Sequence, residues 1–268
     1  MRELLMRELG NLRHEPIDKR IRGMLGDRTV VDSERALVVW EPKRIVPSYA
    51  VPAEDIDAEL RSAPPFEPTE VEAPQLAGRP VYDPSVPFSV HTTAGEPLTI
   101  AVDDREAAAF RPADDALAGY VIVDFRSLDA WFEEDARNIA HPRDPFHRID
   151  VVHSSRHVRV ERDGEVLAES SAPYLLFEPP LPVRYYLPPE DVAPGLLRPS
   201  DKVTYCAYKG RASYWSLQDE DDVAWTYREP LREAAEVTGR VAFFNERVDL
   251  VVDGRRLERP ITPWSARA

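Results

Sequence analysis

The chain has 268 residues, 43% of them hydrophobic and 31% charged, which is typical of a folded globular protein with one large domain or two ordinary ones. Its formal net charge of −14 argues against nucleic acid and against an anionic membrane surface as main partners, because both attract a cationic face. There is no apolar run of about 18 residues and no apolar N-terminal stretch of signal-peptide length, so we expect a cytoplasmic protein without a membrane segment.

Taken in chain order, the predicted elements are mainly β-strands. Apolar and polar residues alternate in short runs that are separated by turn residues such as Asp163 and Gly164. The predicted strands are 29–31, 36–40, 98–102, 120–123, 130–132, 158–162, 165–168, 174–177, 204–206, 212–216, 223–227, 241–244 and 248–252. Short helices, each with a proline in its first turn, are predicted at 52–56, 189–192 and 230–237. Strands do not alternate with long helices, which disfavours a doubly wound nucleotide-binding fold.

An internal repeat is the most informative feature of the sequence. Residues 21–56 align with residues 158–192. The offset is 137 up to the Glu-Pro pairs at 41–42 and 178–179, and it is 136 near the tyrosines that follow. The sequence therefore predicts two small domains in tandem, each a strongly bent sheet arrangement.

The two copies differ most by a proline-rich insert at 58–87 in the first copy. Such a stretch is extended and poorly helical, which predicts a surface strap, and a lid over a pocket is the alternative. Further along, the copies align less well, with 91–95 falling on 206–210. The predicted parts are an N-terminal extension at 1–20, the first copy at 21–136, an inter-repeat segment at 137–156, the second copy at 157–258 and a tail at 259–268.

The second copy contains five motifs in a recognisable order and spacing. They are GEVLAES at 164–170, YLPPEDV at 186–192, CAYKGRASYW at 206–215, AWTY at 224–227 and GRVAFF at 239–244. In this arrangement the second copy closely resembles the family known as domain of unknown function 427, and the first copy resembles a degenerate second example. The resemblance implies a compact, tent-like β fold, similar in shape to small zinc-binding modules but without the metal.

The resemblance implies no mechanism, because the family has no established activity. A nucleotidyltransferase label is sometimes attached to it, but nucleotidyl transfer needs clustered carboxylates that hold divalent metal. No such constellation is present in the sequence, and no glycine-rich phosphate loop is present either. We therefore expect no bound cofactor.

The first candidate site is Cys206 with Lys209 and Gly210. A thiolate beside an ammonium group would be more reactive, and the glycine would let the backbone approach a ligand. His91 occupies the cysteine position in the first copy, so a second active copy would need a different nucleophile. The alternative is that Cys206 is a small core residue next to a turn. As the single cysteine, Cys206 excludes an internal disulfide and a cysteine-rich zinc site.

The second candidate is an aromatic cluster in the second copy. Its members are Tyr185, Tyr186, Tyr205, Tyr208, Tyr214, Trp215, Trp225 and Tyr227. Aromatic walls with polar tips suit a pocket for a flat or cationic small molecule. The same residues also build an ordinary core, so the sequence favours only Tyr208, Trp225 and Tyr227 as pocket members.

The third candidate is the histidine- and arginine-rich segment between the copies. It contains His141, Arg143, His147, Arg148, His153, Arg156 and His157. These side chains suit anion binding or acid–base chemistry near neutral pH, and their spacing matches no standard zinc motif. The alternative is a packed linker whose arginines pair with the many acids. We therefore predict no metal site.

Two functional hypotheses remain open at this point. The first is a cytoplasmic protein that binds an unidentified small polar or aromatic molecule, with catalysis by Cys206 and Lys209 or by the histidine–arginine segment as its enzymatic form. The second is a non-catalytic protein-interaction module, in which duplication raises avidity.

Overall fold

Two compact units make up the protein in a computed structural model that describes residues 7–64 and 73–265. The described residues of the N-terminal unit are 7–64, 73–74 and 80–146. Those of the C-terminal unit are 75–79 and 147–265. Parts of three predicted segments lie outside the described residues, namely 1–6 of the N-terminal extension, 65–72 of the insert and 266–268 of the tail.

The first half of the described chain consists of short strands. They are β1 (Arg13–Pro16), β2 (Ile21–Leu25), β3 (Arg28–Ser33), β4 (Leu37–Trp40), β5 (Ser48–Pro52), β6 (Glu59–Ser62), β7 (Gln75–Leu76), β8 (Arg79–Pro80), β9 (Gly95–Val102), β10 (Arg105–Pro112), β11 (Tyr120–Val123), β12 (Ala130–Glu133) and β13 (Ala136–Asn138). Strands β7 and β8 form a separate hairpin within the proline-rich insert.

The second half follows the same plan. Its strands are β14 (Asp150–His153), β15 (Val158–Arg162), β16 (Glu165–Ser170), β17 (Tyr174–Phe177), β18 (Arg184–Leu187), β19 (Arg198–Cys206), β20 (Gly210–Ser216), β21 (Ala224–Pro230), β22 (Val241–Phe243), β23 (Asp249–Val252) and β24 (Arg255–Arg256). Short 3-10 helices lie at Glu8–Gly10, Ala53–Asp55, Asp115–Leu117, Pro189–Asp191 and Arg232–Val237.

Each unit pairs a seven-stranded antiparallel sheet with a four-stranded one. In the N-terminal unit the strand orders are β1-β4-β5-β11-β10-β9-β6 and β13-β12-β2-β3. In the C-terminal unit they are β14-β17-β18-β22-β21-β20-β19 and β16-β15-β23-β24. When the β7–β8 hairpin is set aside and the described strands are taken in chain order, the two units therefore have the same topology.

The two faces of the C-terminal seven-stranded sheet pack differently. Successive residues of a strand point to opposite faces, so Tyr185 and Tyr186 join different clusters. Tyr185 belongs to a largely aliphatic core with Val160 and Leu250 of the four-stranded sheet. Tyr186 belongs to an aromatic cluster on the opposite face, together with Tyr214, Trp225, Tyr227 and Phe244.

The predicted mainly β fold, made of two β domains with a few short helices, is confirmed by this arrangement. The prediction succeeded because the strand signals are local: period-2 alternation and tight turns recur throughout both halves of the chain. Within residues 7–64 and 73–265, no helix has the length and apolar character needed to cross a membrane.

Candidate functional site

A buried carboxylate organises the candidate site of the C-terminal unit. Glu178 directly follows β17 and is only 7% exposed. Its carboxylate accepts a short hydrogen bond from the Lys209 ammonium, and its Oε1 lies 3.1 Å from Nε2 of His147. Three separate segments thus meet at one buried charge.

Backbone geometry fixes Lys209 in this position. Lys209 lies in the loop between β19 and β20, where Cys206 pairs with Gly210. The Lys209 carbonyl accepts a hydrogen bond from the Leu231 amide at 3.1 Å. Gly210 has a φ of +91°, which favours glycine, and a Cβ there would lie 3.3 Å from the Leu231 nitrogen. These contacts constrain the loop backbone and therefore the position of the Lys209 side chain.

Opposite charges keep both members of the Lys209–Glu178 pair ionised. Burial raises the pKa of Glu178, but Lys209 and His147 outweigh this effect and lower the pKa to about 2. Burial lowers the pKa of Lys209, but the charges of Cys206 and Glu178 more than compensate and hold it above its ordinary value. Desolvation alone would neutralise either group, so each depends on its neighbours.

The Lys209 ammonium has more hydrogen-bond donors than it uses within the described residues. An ammonium group has three donors, and within the described residues this one makes a single hydrogen bond, to Glu178. Tyr227 is 5% exposed, and its hydroxyl has no hydrogen-bond partner among the described residues. Burial raises the pKa of Tyr227 well above its ordinary value, so the phenol remains a protonated donor.

Aromatic rings surround this charge pair. The Tyr186 hydroxyl accepts a hydrogen bond of 3.0 Å from Trp225 Nε1, and burial raises the pKa of Tyr186 as well. The rings of His147 and Tyr208 lie 4.4 Å apart between centroids. The sequence-predicted residues Tyr208, Gly210, Trp225 and Tyr227 therefore belong to the same part of the C-terminal unit.

Cys206 stands at the margin of the cluster. It is partly exposed, and its Sγ accepts a weak hydrogen bond of 3.5 Å from the Tyr208 amide. Lys209 lies in the same loop, which the pairing of Cys206 with Gly210 closes. The ammonium, however, makes its hydrogen bond with Glu178, which the sequence reasoning did not single out. The available signal was the Glu-Pro pair that recurs at 41–42 and 178–179.

The histidine–arginine segment is divided between the two units. His141 and Arg143 belong to the N-terminal unit. Of the segment's predicted residues in the C-terminal unit, His147 reaches Glu178, whereas Arg148 donates to the carbonyl of His147 and Arg156 pairs with Asp253 at 2.7 Å. No group of three or more potential metal-ligating side chains occurs in residues 7–64 and 73–265.

The N-terminal unit satisfies the equivalent carboxylate in another way. Glu41 follows β4 and is 1% exposed. It accepts hydrogen bonds from the amides of Thr92 and Thr93 and lies 2.9 Å from Nδ1 of His91, whose ring stacks on Phe110 at 3.9 Å. The fold therefore buries a carboxylate at this position without any lysine.

Tyr186 and Tyr227 of the C-terminal unit also have no tyrosine counterpart in the N-terminal unit. Tyr186 pairs with Ala242, and the N-terminal residue in the same register position is Ala50, which pairs with Ile122. By the same comparison Tyr227 corresponds to Pro112, since Tyr227 pairs with Ala212 and Pro112 with Gly95. The topology can thus be built without Lys209, Tyr186 or Tyr227.

A small cavity of about 190 Å³ lies elsewhere in the C-terminal unit. It is lined mainly by apolar residues, namely Pro182, Val183, Tyr185, Asn245, Leu250, Leu257, Glu258 and Pro260. The Lys209–Glu178 pair is not among these residues, so the cavity and the charged cluster are separate features.

Comparison with known proteins bears on the C-terminal unit. Residues 150–254 match a family described as a domain of unknown function (DUF427), a range that contains β14 to β23 with Glu178, Cys206 and Lys209. This part of the chain is similar to that family, whose description names no activity. No curated protein matches the chain.

Removing one member of the buried pair should be more harmful than removing both. We expect Lys209→Met to lower the free energy of unfolding at neutral pH by about 3–5 kcal/mol, because Glu178 then stays buried without its cation. The double variant Lys209→Met, Glu178→Gln should lose less, because neither charge remains. Urea unfolding measures both values.

Lys202→Met is the matched control, because Lys202 is an exposed lysine that pairs with Asp222 at 3.2 Å. It should change stability by less than about 1 kcal/mol. A loss in the double variant equal to the sum of the two single losses would contradict coupling between Lys209 and Glu178.

Acid should destabilise the protein through Glu178. Its pKa is about 2 in the folded chain and 4.5 ordinarily, so its contribution is fully present above pH 4.5 and is lost as the pH falls towards 2. The raised pKa of Lys209 acts oppositely: that contribution is present below pH 10.5 and is lost only at more alkaline pH. We expect a steeper acid decline in unfolding free energy for wild type than for Glu178→Gln; parallel declines would refute this assignment.

Proposed function

We propose that the C-terminal unit binds a small polar or aromatic molecule at the Lys209–Glu178 cluster. The observation that carries the proposal is a buried ammonium with one hydrogen bond among the described residues, in the same part of the unit as the Tyr227 hydroxyl, for which the described residues provide no hydrogen-bond partner. Donors that no protein group uses are available to a ligand, and the N-terminal unit builds the same topology without Lys209 and Tyr227. A ligand that accepts hydrogen bonds would account for their presence.

The chemistry of the cluster favours a flat ligand with acceptor oxygens. Lys209, Tyr227 and Tyr186 are all protonated donors, and Glu178 balances the lysine charge. Aromatic walls provide stacking surface for a planar group. A ring that bears a carboxylate or carbonyl group satisfies both requirements. The proposed route of entry is the partly exposed margin at Cys206 and His147, whose side chain is 17% exposed.

For an enzymatic function of this site we propose Cys206 as the nucleophile. Lys209 then remains hydrogen-bonded to Glu178. His147 would be the proton carrier, since its ring contacts both Glu178 and Tyr208. His91 of the N-terminal unit is itself bound to Glu41, so we assign it a structural role there.

We also infer that the two units are diverged copies of one domain of the DUF427 type. Strands β1 to β4 and β14 to β17 begin at a constant offset of 137, as Arg13 and Asp150 illustrate. The identical strand order supports the same conclusion. Divergence in the N-terminal copy then accounts for a family match that is confined to residues 150–254.

A second candidate function is protein interaction through the edge of the C-terminal sheet. Strand β19 is nine residues long, lies at the sheet edge and exposes Val203 and Tyr205, the latter to 57%. The equivalent β6 has four residues. An open edge of this kind can accept an added strand from a partner. A pull-down with one stoichiometric protein that Tyr205→Lys abolishes would favour this alternative.

Tyr227→Phe provides the sharpest test of the small-molecule proposal. It removes one unpaired hydroxyl, so the free energy of unfolding should stay equal or rise by up to about 1 kcal/mol. Binding of a flat acid or amide, with benzoate and nicotinamide as probes, should weaken about tenfold by thermal-shift titration. Tyr186→Phe is the stability control, because its hydroxyl accepts from Trp225 and its loss should destabilise the protein.

Native and denatured masses of the purified protein provide an independent test. An added mass that disappears on denaturation would identify the ligand directly. A Tyr227→Phe variant as unstable as Tyr186→Phe would show that the hydroxyl has a structural role, and the proposal would fail.

A further inference from the structure

Two segments of the chain share an unusual sequence pattern. Residues 84–89 read PSVPFS and residues 260–265 read PITPWS, so each is Pro-x-x-Pro, an aromatic residue and serine. Their exposure also agrees: the second residue is exposed in both, and the third, Val86 or Thr262, is 3% exposed. Both segments also take part in a hydrogen-bonded turn, in which the Val90 amide donates to the Pro87 carbonyl at 3.2 Å and the Ser265 amide donates to the Thr262 carbonyl at 3.1 Å.

Each segment docks on the equivalent turn of its own unit. In the N-terminal unit Arg126, just after β11, donates to the carbonyl of Pro84, and Phe88 lies 6.1 Å from the ring of Phe125. In the C-terminal unit Arg247, just after β22, donates to the carbonyl of Trp264 at 3.1 Å. Both turns thus hold a proline-rich segment by an arginine and an aromatic contact.

The C-terminal docking site is built around a buried ion pair. Arg184 and Glu246 form two hydrogen bonds, at 2.7 and 2.8 Å, and their side chains are 5% and 0% exposed. The Trp264 ring covers the Arg184 guanidinium at 5.4 Å and lies 6.1 Å from the Phe244 ring. Glu246 also accepts a hydrogen bond of 2.5 Å from the Thr262 hydroxyl. Polar and aromatic contacts therefore both recognise the segment.

The two docked segments differ in how deeply their aromatic residue is buried. Phe88 is 1% exposed and is part of the N-terminal core. Trp264 is only partly buried, and it lies beyond residues 150–254, the range that matches the family. The residues that receive it, Arg184, Phe244 and Arg247, lie within that range. Most of the docking surface thus lies within the matched range, whereas the segment that occupies it lies outside, as does Ala77, whose amide donates to the Ile261 carbonyl at 3.1 Å.

We propose that the surface formed by Arg184, Phe244, Glu246 and Arg247 is a peptide-docking site. Its ligand is a Pro-x-x-Pro-aromatic segment of a partner protein, and in this chain the segment at 260–265 occupies it in cis. The aromatic residue of the segment is the anchor. The hydroxyl at the threonine position donates a hydrogen bond to Glu246, and Arg247 donates one to a backbone carbonyl of the segment. This site shares no charged group with the Lys209–Glu178 cluster, but it adjoins the aromatic wall of that cluster, because the Arg184 guanidinium lies 5.4 Å from the Trp225 ring.

The test uses the full-length chain and a labelled peptide with the sequence of residues 257–265. Trp264→Ala weakens the resident segment, so fluorescence anisotropy should show peptide binding to this variant at least tenfold tighter than to wild type, where the tethered segment competes at high effective concentration. Adding Arg247→Ala to the Trp264→Ala chain should reduce binding. A control peptide with alanine at the two proline and the tryptophan positions should not bind.

Hydrogen exchange on the wild-type chain provides a second measurement that needs no destabilising variant. Excess peptide should speed amide exchange in residues 257–265 by releasing the resident segment. Unchanged exchange, or equal peptide affinity for wild type and for a folded Trp264→Ala variant, would overturn the proposal. A concentration-dependent dimer of wild type that Trp264→Ala abolishes would overturn the partner peptide as ligand and identify a second copy of the chain instead.

Discussion

The buried carboxylate after the fourth strand of each unit is the constraint on which the candidate site depends. A charge without water must be matched by donors or an opposite charge, or the group would become neutral. Glu41 is matched by two backbone amides and His91, whereas Glu178 is matched by Lys209 and His147. One topological position therefore leads to two different local chemistries.

The difference matters because an ion pair is not the least demanding way to stabilise such a position. Burying two charges requires desolvation of both, and backbone amides achieve the same compensation with fewer groups. Lys209 brings an ammonium whose remaining donors exceed what Glu178 needs. A purely structural role explains the hydrogen bond to Glu178 but does not explain the choice of lysine.

The fold was largely predictable from the sequence, whereas the centre of the site was not. Strand 174–177 was predicted with the bounds that the structure has, because alternation and turns are local signals. Cys206 and Lys209 could be singled out from the sequence because they share one loop. Glu178 escaped notice as a functional group because its partners, Lys209 and His147, are each 31 residues away along the chain. Only the folded topology brings such distant segments together.

The proline-rich insert is a second case in which the sequence predicts the conformation but not the tertiary contacts. Its composition predicts an extended strap, yet Val81, Val86 and Phe88 are buried. Arg44 donates to the carbonyls of Val86, Pro87 and Val90, at 3.2, 2.5 and 2.8 Å. Composition predicts the conformation of such a segment but not the surface on which it packs. That surface is formed by arginines and aromatic rings that are distant in the sequence.

The N-terminal unit serves as an internal reference for what the topology requires. A buried acid after the fourth strand and a docked Pro-x-x-Pro-aromatic segment occur in both units, so both features are compatible with the fold itself. Lys209, Tyr186, Tyr227 and the only partly buried anchor Trp264 occur in the C-terminal unit and have no counterpart of the same kind in the N-terminal unit. Features that the same topology can omit are those most free to have been selected for binding. The functional chemistry of the chain is therefore best sought in the C-terminal unit.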